Sequence, residues 1–173
     1  MTVELLRWPT DADWQRCKAL AMNTVGKPFA GAVSTEWKRK ILKAEHSPIR
    51  TLMFTVRMAI PYYVSVHFVR HKYGVEHYVT SQRNDRQDGY DRRGARQDAP
   101  VVHIMDLNAQ ALMAMTRRRL CGKADPETQA VMASISGAVL EKCPEFSGFL
   151  VPMCRYRQTC PEFTPCQTGG RIV

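Results

Sequence analysis

Between positions 67 and 83 the chain sets His67, Arg70, His71 and Lys72 a few residues ahead of Ser81, Gln82 and Arg83. Arginine presents a planar fork of donors to phosphate oxygens, lysine a point charge, and serine a short hydroxyl hydrogen bond. Such a density of cationic, imidazole and hydroxyl groups suits a phosphate-bearing ligand better than a buried core segment or a basic tail. His67, Arg70 and His71 are three and four residues apart, so on a helix they share one face. Which ligand the cluster takes, and whether chemistry follows, depends on the elements that hold it.

Those elements come from a modest chain. Its 173 residues, 45% of them hydrophobic, suffice for one domain with a real core and are too few for two comfortable ones. No N-terminal run has the charged, apolar and small-residue order of a signal peptide, and no apolar stretch approaches the roughly 20 residues that span a bilayer. A cytoplasmic protein without membrane contact is expected. The net charge of +9 and pI near 9.5 favour anionic partners, whether nucleotides, dinucleotide cofactors or nucleic acid. Cys17, Cys121 and Cys143 lie among apolar residues and read as buried small hydrophobes. Cys154, Cys160 and Cys166 are separated by five-residue gaps, unlike the tight pairs of zinc ribbons, and no fourth ligand is near. No metal site is expected.

Residues 3–6 read as a first strand, ended by Trp8-Pro9. Thr10 or Asp11 can cap a helix through about Met22, with Trp14, Cys17, Leu20 and Ala21 at helical spacing. After a Gly/Pro-rich loop, Ser34 or Thr35 can cap a second helix with Trp37, Ile41 and Ala44 inward and Lys38, Arg39, Lys40 and Lys43 solvated. The period then changes to two: Leu52, Phe54, Val56 and Met58 alternate with Thr51, Met53, Thr55 and Arg57, predicting a strand over 49–58. Pro61 suits the first turn of a helix striped by Tyr62, Val66 and Val69. The polar cluster begins at that helix end and continues as an extended or looped segment over 78–83. Residues 84–100, dense in Arg, Asp, Gln and Gly, predict an exposed or ligand-ordered loop. A helix over 107–120 puts Asn108, Leu112, Met115 and Arg119 on one stripe, with the polar pair at its ends. Asp125-Pro126-Glu127 opens another, striped by Val131, Ile135 and Val139. Pro144 ends it, and a short helical piece over 146–151 leads into the cysteine-bearing tail, about 152–173.

Arg70-His71-Lys72 followed by Ser81-Gln82-Arg83 resembles the signature of the flavin-dependent thymidylate synthases, the ThyX family, where Arg-His-Arg, seven residues and Ser-x-Arg succeed one another. The order of other motifs is similar too. His46-Ser47-Pro48 precedes the strand and the Pro-led helix, the stretch 108–119 and Glu127 follow, and Cys160-Pro161-Glu162 is similar to the tails of some members. The chain also departs from the pattern. Lys72 replaces the third signature arginine, and eight residues precede Ser81, which leaves Thr80 at the family's serine spacing. His67 stands where glutamine is common, Gln110 where arginine is usual, and Asn84 where a tyrosine usually follows. His77 and Tyr78 lie near the place of an Asn-Glu pair, and much of the family's helical segment before Asn108 is missing. The pattern is that of a short, divergent member.

The resemblance implies an α/β chain of the α+β type: a ThyX-like fold with a central, mostly antiparallel sheet flanked by helices. It implies reductive methylation of dUMP to dTMP, with methylenetetrahydrofolate as methylene donor, FAD as hydride carrier and NADPH as reductant. By position, Ser81, Arg83 and Arg119 would hold the nucleotide with His67 beside it, Arg119 being the catalytic arginine whose charge offsets negative charge on the pyrimidine. Arg70, His71, Lys72 and Asn108 would face the flavin, with His46 or Ser47 at its phosphates or ribityl chain. The family needs no catalytic cysteine and forms homotetramers that share flavin and nucleotide between subunits. Two other functions compete. One is a nucleotide-binding or regulatory module of the same fold with lapsed or altered catalysis. The other is a basic nucleic-acid-binding domain with 38–43 and 83–96 as its footprint. That footprint lacks interleaved aromatics and a reader motif, and the mixed charge of its loop differs from a plain nucleic-acid arm.

Overall fold

Period-two alternation builds the centre of the molecule. In the structure, a computed structural model that describes residues 1–166, the chain opens with β1 (Thr2–Arg7), α1 (Asp11–Asn23) and α2 (Thr35–Ala44). There follow β2 (Met53–Pro61), α3 (Tyr62–Phe68), β3 (Val75–Val79), β4 (Pro100–Asn108), α4 (Ala109–Arg119), α5 (Pro126–Lys142) and α6 (Met153–Arg157). The strands form one antiparallel sheet in the order β1-β2-β4-β3. This is the expected α+β class, an antiparallel sheet flanked by helices.

Phe54, Val56, Met58 and Ile60 of β2, with Met105 and Leu107 of β4, share one fully buried face of the sheet. Each large side chain among them contributes about 1.5–3 kcal/mol by leaving water. Helices bring Trp14, Phe68, Leu112, Met115, Ile135 and Val139 into the same cluster, so the stripes expected of α4 and α5 are their core stripes. The other sheet face, carrying Thr55, Arg57, Ile104 and Asp106, is only partly covered. The caps are those read from sequence. Thr10 and Asp13 form a capping box, Ser34 accepts from the Trp37 N–H, and Asp125 accepts from the Thr128 N–H with Pro126 behind it. Each satisfies a first-turn donor that has no partner inside its helix.

The boundaries around the cluster differ from expectation. Residues Ser47–Thr51 wind into a 3-10 turn that buries Pro48 and Ile49, so β2 starts at Met53. Pro61 is the last residue of β2 and the N-cap of α3, not part of its first turn. The buried side of α3 is Val64, Ser65 and Phe68 rather than Tyr62, Val66 and Val69, because the sheet edge it leaves decides which side turns inward. α3 stops at Phe68, so Arg70 and His71 lie beyond it and do not share a helical face with His67. β4 absorbs Leu107 and Asn108 before α4 begins.

Elsewhere, α2 buries Ile41 and Leu42 and leaves Ala44 exposed. Lys38, expected in solvent, has a side chain only 14% exposed; it lies over the Trp14 ring and reaches Asp11 at 3.3 Å. A 3-10 turn at Pro144–Phe146 and then α6 replace the short helical piece expected over 146–151. Cys17 and Cys143 are buried, whereas Cys121 is half-buried just past α4. Residues 80–99 form no helix or strand, which covers the polar loop expected over 84–100 except Pro100, the first residue of β4. The cysteine-bearing tail is described through Cys166; 167–173 lie outside the described residues. Among the described residues, no helix is long and apolar enough to cross a membrane.

Candidate active site

Both ends of α4 meet the segment that joins α3 to β3. At the C-terminal end three consecutive arginines diverge, because a helix turns about 100° per residue. Arg117 points inward, where it pairs with both carboxylate oxygens of Glu45 at 2.5 and 3.2 Å and stacks 3.6 Å from the Tyr156 ring centroid. Burial works against the Glu45 charge, yet hydrogen bonds from Arg117 and Tyr156 hold its carboxyl below the usual range. Arg118 is exposed.

Arg119 lies between these extremes. Its Nε–H donates to His71 Nε2 at 3.0 Å and its Nη2 donates to the His67 carbonyl at 2.5 Å. Neither acceptor is negative, and among the described residues no carboxylate lies within 4 Å of the guanidinium. Burial, with Arg70 and Arg118 nearby, pushes its pKa down, although an arginine keeps its charge in a protein. Two of its five N–H donors are used, which leaves three. Arg119 lines a cleft of about 350 Å³ together with His71, Arg118, Lys123 and Glu162.

The histidines set this arginine rather than add charge to it. Since His71 Nε2 accepts, its proton sits on Nδ1 and the ring is neutral. Burial above all, then Arg119, His77 and Arg118, pushes His71 down to about 4. The Thr128 hydroxyl donates to Asp125 at 3.0 Å, so its oxygen must accept from His67 Nδ1–H at 2.6 Å. The His67 ring is thus committed to the α5 N-cap, and its carbonyl is what meets Arg119.

At the N-terminal end of α4, Asn108 accepts from the Ala111 N–H at 2.9 Å while its own N–H donates to Gly74 at 3.0 Å. Gly74 has φ +71°, and a Cβ there would stand 2.4 Å from Asn108 Nδ2, so the turn closes only on glycine. Arg50 donates to Gln110 Oε1 at 2.5 Å. An open groove of about 470 Å³ runs between Arg50, Tyr73, Asn108 and Gln110, with Tyr73 94% exposed at its rim. Arg70 and Lys72 are exposed on the same segment, and His46 and Ser47 are exposed ahead of Arg50.

Ser81 and Arg83 sit apart from both ends. Arg83 is bound bidentately to Asp85 at 2.8 and 2.6 Å, and the Ser81 hydroxyl accepts from the Arg83 N–H. They belong to the exposed 80–99 loop, where Arg83 lines a shallow depression with Asn84, Asp85 and Arg92. The structure therefore joins His67, His71 and Arg119 with Arg70 nearby, sets Asn108 in the groove at the other end of α4, leaves Lys72 exposed on the segment between, and leaves Ser81 and Arg83 outside. Much of the basic footprint is internally engaged: Lys40 with Glu36, Arg39 with the carbonyls of Glu145 and Ser147, Arg96 with Asp98.

Several polar residues of the site do not stand out in the sequence. Arg50, Tyr73, Arg118 and Lys123 become neighbours of it only on folding. His103 has no exposed surface and bonds Ser65 Oγ at 3.0 Å and His77 Nδ1 at 2.9 Å. Burial first, then His77, pushes it down to about 4. Its signal was available: in the alternation Val101, His103, Met105, Leu107 it occupies an inward position. Cys154, Cys160 and Cys166 line one cavity of about 380 Å³, and burial pushes the Cys17 and Cys143 thiols up to about 12. Among the described residues no three His, Cys, Asp or Glu side chains gather as a metal-ion set.

No protein-family model matches the chain, and no curated protein matches it in sequence. Among solved structures its fold is similar to that of the UMP/dUMP methylase PolB from Streptomyces cacaoi, whose crystal structure is bound with 5-Br dUMP. The TM-score is 0.63 and the identity 16%, over 83% of this chain and 92% of that one. At this identity the likeness is one of fold.

Proposed function

We propose that the chain is a flavin-dependent thymidylate synthase of the ThyX type, methylating dUMP to dTMP with methylenetetrahydrofolate, FAD and NADPH. The observation that carries this reading is Arg119, a half-buried cation oriented by two neutral acceptors and left without a carboxylate partner among the described residues. A desolvated, pre-aimed guanidinium is a receptor for an anion, since charge-assisted hydrogen bonds gain strength where water is excluded. Arg118 and Lys123 line the same cleft and, against the single carboxylate of Glu162, leave its charge balance positive. The fold shared with a UMP/dUMP methylase makes a pyrimidine nucleotide the fitting anion. Arg119 would then hold negative charge on the phosphate or the pyrimidine, as expected of a preorganised electrostatic site.

For FAD, the residues at the other end of α4 fit a dinucleotide. Arg50 and the Asn108 and Gln110 amides line the groove there, and the exposed Tyr73 ring offers a face for a flat heterocycle. Arg70 and Lys72, exposed and outside any salt bridge among the described residues, stand on the segment between the two ends of α4 as donors for a diphosphate. His46 and Ser47 flank the same turn as Arg50, within the reach of a long cofactor. Reduced FAD would supply the hydride, while the chain's own residues bind, orient and exclude water. His71 contributes as a neutral acceptor between the two ends. Among the described residues, Ser81 and Arg83 line neither the Arg119 cleft nor the groove, and one sheet face is partly bare. Both facts suit a homotetramer in which that loop completes a neighbouring subunit's nucleotide site.

The test is direct. The purified chain is titrated with FAD and followed by flavin absorbance, then given dUMP tritiated at C5 with methylenetetrahydrofolate and NADPH. Flavin binding with tritium release is expected. Failure to bind both FAD and dUMP would overturn the reading, and binding of both without release would leave the nucleotide-binding module.

A further inference from the structure

Behind His71 runs a chain of polar groups that the proposed chemistry does not use. His77 on β3 and His103 on β4 are diagonal neighbours across the strand pair, on the face that looks into the core. Ser65 of α3 closes one end at His103 Nδ1, and the His71 carbonyl closes the other at His77 Nε2, 2.7 Å away. The Phe68 ring stands edge-on to His103 with centroids 6.4 Å apart. An apolar side chain would fill this space without the desolvation cost of an imidazole.

Hydrogen-bond directions follow from the ends. A carbonyl can only accept, so His77 Nε2 carries a proton, and in the neutral ring His77 Nδ1 must accept. His103 Nε2 therefore donates to it, and His103 Nδ1, without a proton, accepts from the Ser65 hydroxyl. All four ring nitrogens are satisfied in one consistent sense, Ser65 to His103 to His77 to the His71 backbone. The same residue His71 then accepts from Arg119 through its side chain. The relay thus ends on the residue that aims the arginine.

We propose that Ser65, His103 and His77 form a positioning relay that fixes the His71 backbone and thereby holds Arg119 at its cleft. The role in nucleotide binding rests on the function proposed above; the relay and its hold on Arg119 do not. His77 and His103 touch no ligand in this scheme and transfer no proton.

The test uses the full-length chain and two readouts. One is the NMR signal of the Arg119 Nε–H in the free protein, which reports its bond to His71. The other is dUMP affinity by calorimetry. His77→Phe should erase the Arg119 signal and weaken dUMP by about tenfold, the loss of roughly one hydrogen bond's worth of orientation. His77→Gln keeps a donor for the His71 carbonyl and should restore both. An unchanged Arg119 signal and unchanged dUMP affinity in folded His77→Phe would overturn the relay. Failure of the wild-type chain to bind dUMP, with the Arg119 signal still dependent on His77, would overturn the proposed function and leave the relay standing. Should His77→Phe not fold, imidazole nitrogen shifts of the wild-type protein decide: a proton on His103 Nδ1, or none on His77 Nε2, refutes the scheme.

Discussion

The arginines that end α4 and those of the 80–99 loop carry the same charge in opposite settings. In the loop, Arg83 and Arg96 each find an aspartate two residues on, Asp85 and Asp98, in solvent. Such pairs close locally and contribute little. On α4, Arg117 is buried with Glu45, while Arg119, two residues away, is half-buried with only neutral acceptors. The partner, not the residue type, separates a lock, a site and a solvated pair. What makes Arg119 a candidate for ligand binding is partial burial without a carboxylate partner among the described residues, a setting that Arg117, Arg83 and Arg96 do not share.

The widest separation should come from Arg117→Ala, which strands Glu45 and should lower stability by about 3 kcal/mol in urea unfolding. A loss below about 0.5 kcal/mol would erase the distinction between a lock and a solvated pair. Arg119→Ala should do the reverse, weakening dUMP by roughly 10- to 100-fold, as expected for charge-assisted hydrogen bonds, with the unfolding midpoint nearly unmoved. Equal dUMP affinity in the folded variant removes Arg119 from the site.

A sharper cut between the regions uses both at once. If the loop serves a neighbouring subunit, mixed oligomers of Arg119→Ala and Arg83→Ala chains should recover activity that neither has alone. No recovery in demonstrably mixed oligomers would place both arginines in one chain's site or discard Arg83.

A smaller effect concerns pH. His71 and His103 are held near 4 in the folded chain, chiefly by burial, against about 6.5 when unfolded. The unfolded chain therefore takes up protons first as pH falls. Stability is full above about 6.5 and is lost progressively towards about 4. Urea midpoints at pH 7 and pH 5 should differ in that direction, and a midpoint higher at pH 5 would contradict neutral, buried rings. Least of all, Arg96→Ala should leave the urea midpoint unmoved, since its pair with Asp98 is solvated; a clear downward shift would mean that the loop is not merely solvated.

Where a property depends on near neighbours, the chain announces it. The alternation around Phe54 and Val56, the Thr10, Ser34 and Asp125 caps, the α4 and α5 stripes and the polar loop all rest on contacts within a few residues. Those contacts make Arg119 a stripe-end arginine, but the class of fold follows only from the family resemblance, and β4, central to the sheet, is not read from the sequence. The 67–83 cluster was visible by the same means, but as one unit. Only the tertiary structure divided it, because the end of α3, the Gly74 turn against Asn108 and the approach of α4 decide which side chains meet. His103 shows the other limit. Its inward position follows from period two, yet its partners Ser65 and His77 come from different elements. Whether a buried imidazole is an error, a filler or part of a site is settled by what stands on its two nitrogens, and that is a property of the assembled core.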